Sequence, residues 1–363
     1  MRVQDLDTPA VVVDLDVLES NIARMAGYCR SAGFALRPHI KTHKIPEIAK
    51  LQIAAGARGI TVAKVGEAEV MVAAGIDDVL IAYPVIGADK ARRVAALARR
   101  AKVVVALDGI ESARALSAAA AEAGATVGVL VDLDVGFHRT GVPTVAATAD
   151  LAQAVSRMPG LRFAGLFCYP GHIRGPAEQQ APALAGVQAM LAEARDALAA
   201  GGLPVEVVSS GSTPTARHSG LTPAATEIRP GTYVFNDVSY HSVGANTLEE
   251  CALTVHMTVV STAVAGQAIL DGGTKTLTSD RCAGKVEGHG HVRELPDAVI
   301  VKCNEEHGWV DVSRCAKPPK VGDRVSVIPN HVCPVVNLHD TVHGVRNGVV
   351  EVSWRVAARG LVR

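Results

Sequence analysis

Between residues 10 and 209 the chain repeats one unit: a short run of β-branched and apolar residues, a longer segment with apolar residues at helical spacing, then usually a glycine. The period is about 25 residues, and it is the strongest constraint on the fold. The short runs fall at 10–13, 34–38, 59–63, 79–83, 103–107, 127–131, 163–168 and 205–209. The helical segments span 17–32, 45–55, 65–74, 88–100, 110–123, 143–156 and 177–200. Pro143, heading its segment, suits a first helical turn. Strands alternating with amphipathic helices predict a parallel sheet with right-handed crossovers. Eight strands over roughly 230 residues match a (β/α)8 TIM-like barrel, in an α/β chain. No glycine-rich dinucleotide fingerprint follows the first strand, which argues against an open Rossmann sheet.

The texture changes near residue 239. Runs at 253–261, 267–270, 298–302, 309–312, 324–328 and 349–356 read as strands, with Gly, Asp and Asn turns between them. The expected organisation is a barrel over 8–239 and a C-terminal, mainly β domain over 240–363, which residues 1–7 join. Hydrophobic residues at 48% and charged residues at 20% allow both cores and argue against disorder. Basic and acidic side chains balance at 36 each, so neither nucleic acid nor an anionic membrane is an expected partner. No apolar run approaches the roughly 18 residues of a membrane span. Asp5 and Asp7 precede the first apolar run, unlike a signal peptide. Seven cysteines without CxxC spacing are expected to be free thiols of a cytoplasmic protein.

Five pieces carry chemistry. Arg37-Pro38-His39-Ile40-Lys41-Thr42-His43-Lys44 follows a strand, which puts Lys41 at the catalytic end of a barrel. Crowding by Arg37, His39, His43 and Lys44 is expected to lower the Lys41 pKa and favour Schiff-base chemistry. A solvated basic loop is the plainer alternative. Arg139 follows the 127–131 strand, either facing the same site or pairing with Asp132 or Asp134. Tyr169 and His172 flank a Pro-Gly turn after the next strand, where they suit general acid–base work; a plain loop role for His172 stays open. Gly211, Ser212 and Thr213, and one unit later Gly231, Thr232 and Tyr233, form loops of the kind that hold a phosphate. Far along the chain, His331 and Cys333 lie two apart on an expected strand and so on one side of it. An imidazole and a thiolate suit Zn2+, and two protein ligands leave positions open. A buried cysteine beside a surface histidine is the alternative. Glu305, Glu306 and His307 are expected only as supporting contacts.

With these residues in view, the chain resembles the fold-type III, pyridoxal-phosphate-dependent enzymes of the D-serine dehydratase and D-threonine aldolase group, relatives of alanine racemase. The likeness runs from Asp7-Thr8-Pro9-Ala10 through the Lys41 motif, Arg139-Thr140-Gly141, the Gly211 loop, Arg229-Pro230-Gly231-Thr232-Tyr233 and Glu306-His307-Gly308 to His331-Val332-Cys333. The resemblance implies that Lys41 is the Schiff-base lysine, that Arg139 faces the pyridine nitrogen and that Tyr169 sits beside the cofactor. It implies that the Gly211 and Gly231 loops hold the phosphate and that His331 and Cys333 bind Zn2+ or Mn2+. It also implies a homodimer in which each barrel meets the partner's β domain.

An arginine opposite the ring nitrogen keeps that nitrogen unprotonated and weakens the electron sink, and a metal on the substrate's β-hydroxyl compensates. Removing the α-proton then leads to β-elimination, giving a 2-oxo acid and ammonia. Removing the hydroxyl proton leads to retro-aldol cleavage, giving glycine and an aldehyde. His331-Val332-Cys333 and the Gly211 loop resemble the dehydratases. Asn337-Leu338-His339-Asp340 and the tail at Ala357-Ala358-Arg359-Gly360 look more like the aldolases. Bacterial aldolases carry a histidine six residues after the cofactor-side tyrosine, where this chain has Gly175, although His172 is close by. Weighting the residues nearest the chemistry gives a dehydratase of a D-3-hydroxy amino acid (D-serine, D-threonine or D-phenylserine type), with the aldolase as alternative. A non-catalytic pyridoxal-phosphate carrier is the alternative of another class, and a carrier needs neither the β domain nor the His331/Cys333 pair. Racemisation would need a second base on the opposite face of Cα.

Overall fold

The computed structural model describes residues 1–282 and 286–363. The chain forms two compact units: Met25–Lys41 with Pro46–Gly231 and Leu361–Arg363, and Met1–Arg24 with Thr42–Ile45 and Thr232–Gly360.

The first unit holds an eight-stranded parallel sheet. Its strands are Ala35–Leu36, Ile60–Val62, Asp78–Ile81, Lys102–Leu107, Val127–Asp132, Leu161–Phe167, Val207–Ser210 and Glu227–Ile228. The first strand pairs with the last through Ala35–Glu227 and Leu36–Ile228. A parallel bridge from His39 to Thr61 joins the first strand's continuation to the second, so the sheet closes on itself. Alternation along the strands divides the apolar residues. Leu80, Val104, Ala106, Leu130, Ala164, Phe167 and Val207 fill the interior. Val79, Ile81, Val103, Val105 and Val129 pack outward against the helices.

Two local expectations fail here. The run at 10–13 is not a barrel strand: Ala10–Asp14 pairs antiparallel with Leu253–Ser261 and parallel with Thr341–Arg346 in the other unit's sheet. The eighth barrel strand is Glu227–Ile228, two residues long and too short to show a period of two. Pro143 lies outside its helix, Val145–Ser156, because Thr144 is the N-cap and its hydroxyl accepts from Ala147 N at 3.2 Å.

The second unit is built on a nine-stranded, mainly antiparallel sheet. Leu253–Ser261 is its long central strand, and Gln267–Leu270 and Arg324–Ile328 both pair with it. His331 and Cys333 do not lie on a strand, contrary to the sequence expectation. The strand ends at Ile328, His331 is the N-cap residue of the helix Val332–Leu338, and Cys333 sits in its first turn. Pro334 follows within that turn, where a missing N–H costs nothing. Among the described residues no helix is long and apolar enough to cross a membrane, and all seven cysteines are free.

Candidate active site

Each candidate residue of the barrel unit follows the C-terminal end of a strand. Lys41 lies in the 3-10 turn Ile40–Thr42, beyond Ala35–Leu36. Arg139 follows Val127–Asp132, Tyr169 and His172 follow Leu161–Phe167, Gly211 to Thr213 follow Val207–Ser210, and Gly231 follows Glu227–Ile228.

The Arg139 loop is knotted by Asp134. One carboxylate oxygen accepts from the backbone N–H groups of Gly136, Phe137 and His138 at 3.0, 3.1 and 3.0 Å. The other meets His138 Nδ1 at 2.6 Å. The salt bridge that sequence allowed for Arg139 is therefore not made: Asp134 caps its own loop, and Asp132 takes the Thr140 hydroxyl at 2.9 Å. Arg139 instead lies over aromatic faces, 4.7 Å from the Tyr169 ring centroid and 5.2 Å from that of Phe137. Phe137 also stacks on His172, with centroids 6.5 Å apart and planes at 20°. Arg139, Tyr169 and His172 thus belong to one cluster organised by Phe137, which sequence reading had not singled out.

Arg229 was also missed as a site residue, although its place at a strand end was a signal. Its buried guanidinium donates to Ser209 Oγ at 2.7 Å and to the Cys168 carbonyl at 2.6 Å, and lies 3.8 Å over the Phe167 ring. Burial pulls its pKa down to about 10. Burial, with the charges of Lys41, Arg229 and Arg139, pushes His39 well below the ordinary imidazole range, so it stays neutral. Its Nδ1 accepts from Lys41 N at 3.4 Å. Two of the four neighbours expected to crowd Lys41 bring no positive charge beside it. His39 is uncharged, and Arg37 points to the other end of the barrel, paired with Glu227 and Asp78.

The two glycine loops are joined by Gly231 N donating to Thr213 Oγ1 at 3.2 Å. Gly211 has φ +87°, and a Cβ there would meet Ile228 Cβ at 3.2 Å, so the close turn requires glycine. The Ser212 and Thr215 hydroxyls lie 3.0 Å apart within the loop.

Among the described residues, Lys41, Arg139 and Arg229 have no carboxylate at ion-pairing distance. Three cations without carboxylates, beside a tight glycine loop, suit an anionic, phosphate-bearing group such as pyridoxal phosphate. Asp132, the nearby buried acid, is one carboxyl against three cations, and burial raises its pKa to about 6.

The second unit holds a separate cluster. Cys333 Sγ lies 3.3 Å from Thr42 Oγ1 and 3.7 Å from Thr232 Oγ1. Thr232 and Tyr233 are buried in the 3-10 turn Thr232–Val234. His331 Nδ1 lies 2.8 Å from Asp280 Oδ2. Burial opposes charge on His331, but a hydrogen bond and charge interaction with Cys333, and then Asp280, raise it to about 9. Asp237 is buried, accepts from Val332 N at 3.3 Å, and is raised by burial to about 6. The expected support from Glu305 and Glu306 is not made, since both pair with Lys275. Among the described residues no group of three or more His, Cys, Asp or Glu side chains is arranged to hold a metal. The imidazole–thiol pair fits a cation with two protein ligands, the rest of its shell coming from water or substrate.

Comparison with known proteins gives this geometry a family. Residues 13–238 match the model of the alanine racemase N-terminal domain, and residues 252–345 that of a putative serine dehydratase domain. A D-threonine aldolase from Arthrobacter sp. is 37% identical over 99% of this chain and 94% of its own length. A D-threo-3-hydroxyaspartate dehydratase from Delftia sp. is 35% identical over 90% of this chain and 91% of its own. The crystal structure of D-threonine aldolase from Filomicrobium marinum superposes with a TM-score of 0.93 at 37% identity, covering 99% of this chain and 98% of that one. The D-threo-3-hydroxyaspartate dehydratase has also been solved as a cysteine-to-alanine variant in the metal-free form, and as a variant of the histidine two positions earlier.

Proposed function

We propose that this chain, which belongs to the alanine racemase N-terminal domain family of pyridoxal-phosphate-dependent lyases and carries a serine dehydratase domain after it, dehydrates a D-3-hydroxy amino acid to a 2-oxo acid and ammonia. The observation that carries the dehydratase reading is the placing of His331 and Cys333 together at the start of one helix. The same His-x-Cys spacing is targeted in the two variants of the dehydratase relative, and its cysteine variant was obtained metal-free. A thiolate beside an imidazole favours Zn2+ over Mn2+.

In this reading Lys41 holds the cofactor, Arg139 faces its ring nitrogen and Tyr169 lies beside it. Gly211, Ser212, Thr213, Gly231, Thr232 and Tyr233 bind the phosphate. Pyridoxal phosphate supplies an electron sink at the substrate's Cα, and zinc on His331 and Cys333 supplies Lewis acidity for the departing β-hydroxyl. Lys41, Tyr169 and His172 move the protons. Lys41 and Arg139 are exposed in the single chain, and such chemistry gains from excluding water. That exposure supports a homodimer whose partner covers them, and light scattering of the purified protein tests it. The free cysteines support a cytoplasmic setting.

The 37% identity to a D-threonine aldolase over 99% of the chain favours a second reading, retro-aldol cleavage to glycine and an aldehyde. Against it, the position where aldolases carry a histidine is Gly175, and Gln179 Oε1 lies 2.7 Å from where a Cβ would stand. Product analysis with D-threonine, pyridoxal phosphate and Zn2+ separates the two. 2-Oxobutanoate with ammonia is expected, and glycine with acetaldehyde would establish the aldolase. Bound cofactor with no turnover of any D-3-hydroxy amino acid would revive the carrier.

A further inference from the structure

We infer that Asp280 is a positioning residue for the metal: its carboxylate fixes which ring nitrogen His331 presents to the cation. The inference rests on the metal reading above and goes one residue beyond the ligand pair.

Asp280 Oδ2 lies 2.8 Å from His331 Nδ1. An ionised carboxylate can only accept, so the proton of a neutral His331 must sit on Nδ1. The lone pair is then on Nε2, and Nε2 is the nitrogen left for a cation. A free histidine in water populates both tautomers and turns its ring; the carboxylate removes both freedoms.

The chain places Asp280 with some care. Asn330, the residue before His331, is 1% exposed. Its Nδ2 donates to the Asp280 carbonyl at 3.1 Å and to the Gly288 carbonyl at 2.9 Å. One buried amide, adjacent in sequence to the ligand, therefore holds both Asp280 and Gly288. Asn330 Oδ1 is buried with no hydrogen-bond partner, a cost that the two donated bonds must outweigh. On the other side, Asp280 N donates to Thr278 Oγ1 at 3.1 Å. Thr278 has φ +71°, a conformation that a β-branched residue rarely adopts. Strain on one side of Asp280 and an unsatisfied amide oxygen on the other share one result: the carboxylate meets the imidazole. Backbone strain of this kind persists where the surroundings over-determine it, often at functional sites.

The test is a zinc titration against a competing chelator, using cofactor-loaded, metal-stripped protein. Wild type is compared with Asp280→Asn, Asp280→Ala and His331→Ala, and the cofactor's visible absorbance is followed in each. Asp280→Ala is expected to weaken zinc roughly 10- to 100-fold, as loss of such a partner does elsewhere, with cofactor absorbance unchanged. Asp280→Asn should weaken it less, because the amide oxygen still accepts from Nδ1. Long-range 1H–15N correlation of the metal-free protein, recorded at alkaline pH where the imidazole is neutral, should show His331 protonated on Nδ1 in wild type and mixed tautomers in Asp280→Ala, a change that a merely structural role would not cause. Wild-type zinc affinity and tautomer in Asp280→Ala, with zinc lost in His331→Ala, would overturn this inference alone. A loss in Asp280→Ala as complete as in His331→Ala would make Asp280 a ligand instead. If wild type binds no zinc, or His331→Ala binds it equally well, the metal reading fails and this inference with it.

Discussion

The two ends of the barrel use the same side chains in opposite ways. At the N-terminal ends of the strands, cations meet carboxylates. Buried Arg37 lies between Glu227 at 3.0 Å and Asp78 at 2.5 Å. Asp78 also takes Lys102 at 3.1 Å, and Arg162 meets Glu206 at 2.7 Å. At the C-terminal ends, Arg139 and Arg229 meet a backbone carbonyl, a hydroxyl and aromatic faces instead, and among the described residues Lys41 has no carboxylate at ion-pairing distance. The eight strands run parallel, so the two ends never exchange roles. The paired end completes itself within the chain and stabilises the barrel. The unpaired end leaves three cations without a carboxylate, a condition that suits an anion-binding site.

Mutations at the two ends should therefore separate binding from stability. The largest effect is expected for Lys41→Ala. It should lose the visible absorbance of bound cofactor and about a thousandfold or more in turnover, while its melting temperature without cofactor stays at the wild-type value. Absorbance retained in that variant would mean the wrong lysine. Cys333→Ala should come next, losing metal and activity while keeping bound cofactor; full activity in metal-free buffer would remove the metal from the account. Arg37→Ala probes the opposite end. It leaves Glu227 buried without its cation, while Asp78 keeps Lys102, a loss of about 3–5 kcal/mol, yet its folded fraction should bind cofactor as wild type does. Weakened cofactor binding there would break the comparison.

The smallest effect is in pH dependence, where the two ends should have opposite signs. Burial would raise Asp78, but Arg37 and Lys102 hold it below its ordinary value of 3.8. Its contribution to stability is present above that value and is lost as pH falls through the lower folded pKa. Asp132 is raised by burial to about 6. Its contribution is present below 3.8 and is lost as pH rises through about 6. Asp132→Asn should therefore gain about 1–3 kcal/mol at pH 8 relative to pH 4, whereas Asp78→Asn should lose most at neutral pH and converge on wild type in acid. Urea melts across that range give both slopes, and slopes of one sign would contradict the contrast.

How far each part could be read in advance follows from how local its cause is. The helix Ala177–Ala200 and the strands Leu253–Ser261 and Arg324–Ile328 match the sequence reading end to end, because periodicity is written within each segment. Ala10–Asp14 looked like a barrel strand because its pattern fits one; its partners, near 255 and 343, leave no trace beside it. His331 and Cys333 stood out as a pair by their spacing, but the helix start that carries them did not. Lys41, Arg139 and the Gly211 loop announced themselves as polar residues after strands. Phe137, Asp237 and Asp280 matter through tertiary contacts alone, and no spacing in the sequence marks them.

Borohydride reduction of the cofactor-loaded protein, followed by peptide mapping, tests the central claim most directly, because it fixes the cofactor to whichever lysine carries it. The pyridoxyl phosphate mass is expected on Lys41, at the end of the barrel where cations lack carboxylates. Label on Lys102 at the paired end, on Lys64, or on no lysine at all would contradict it.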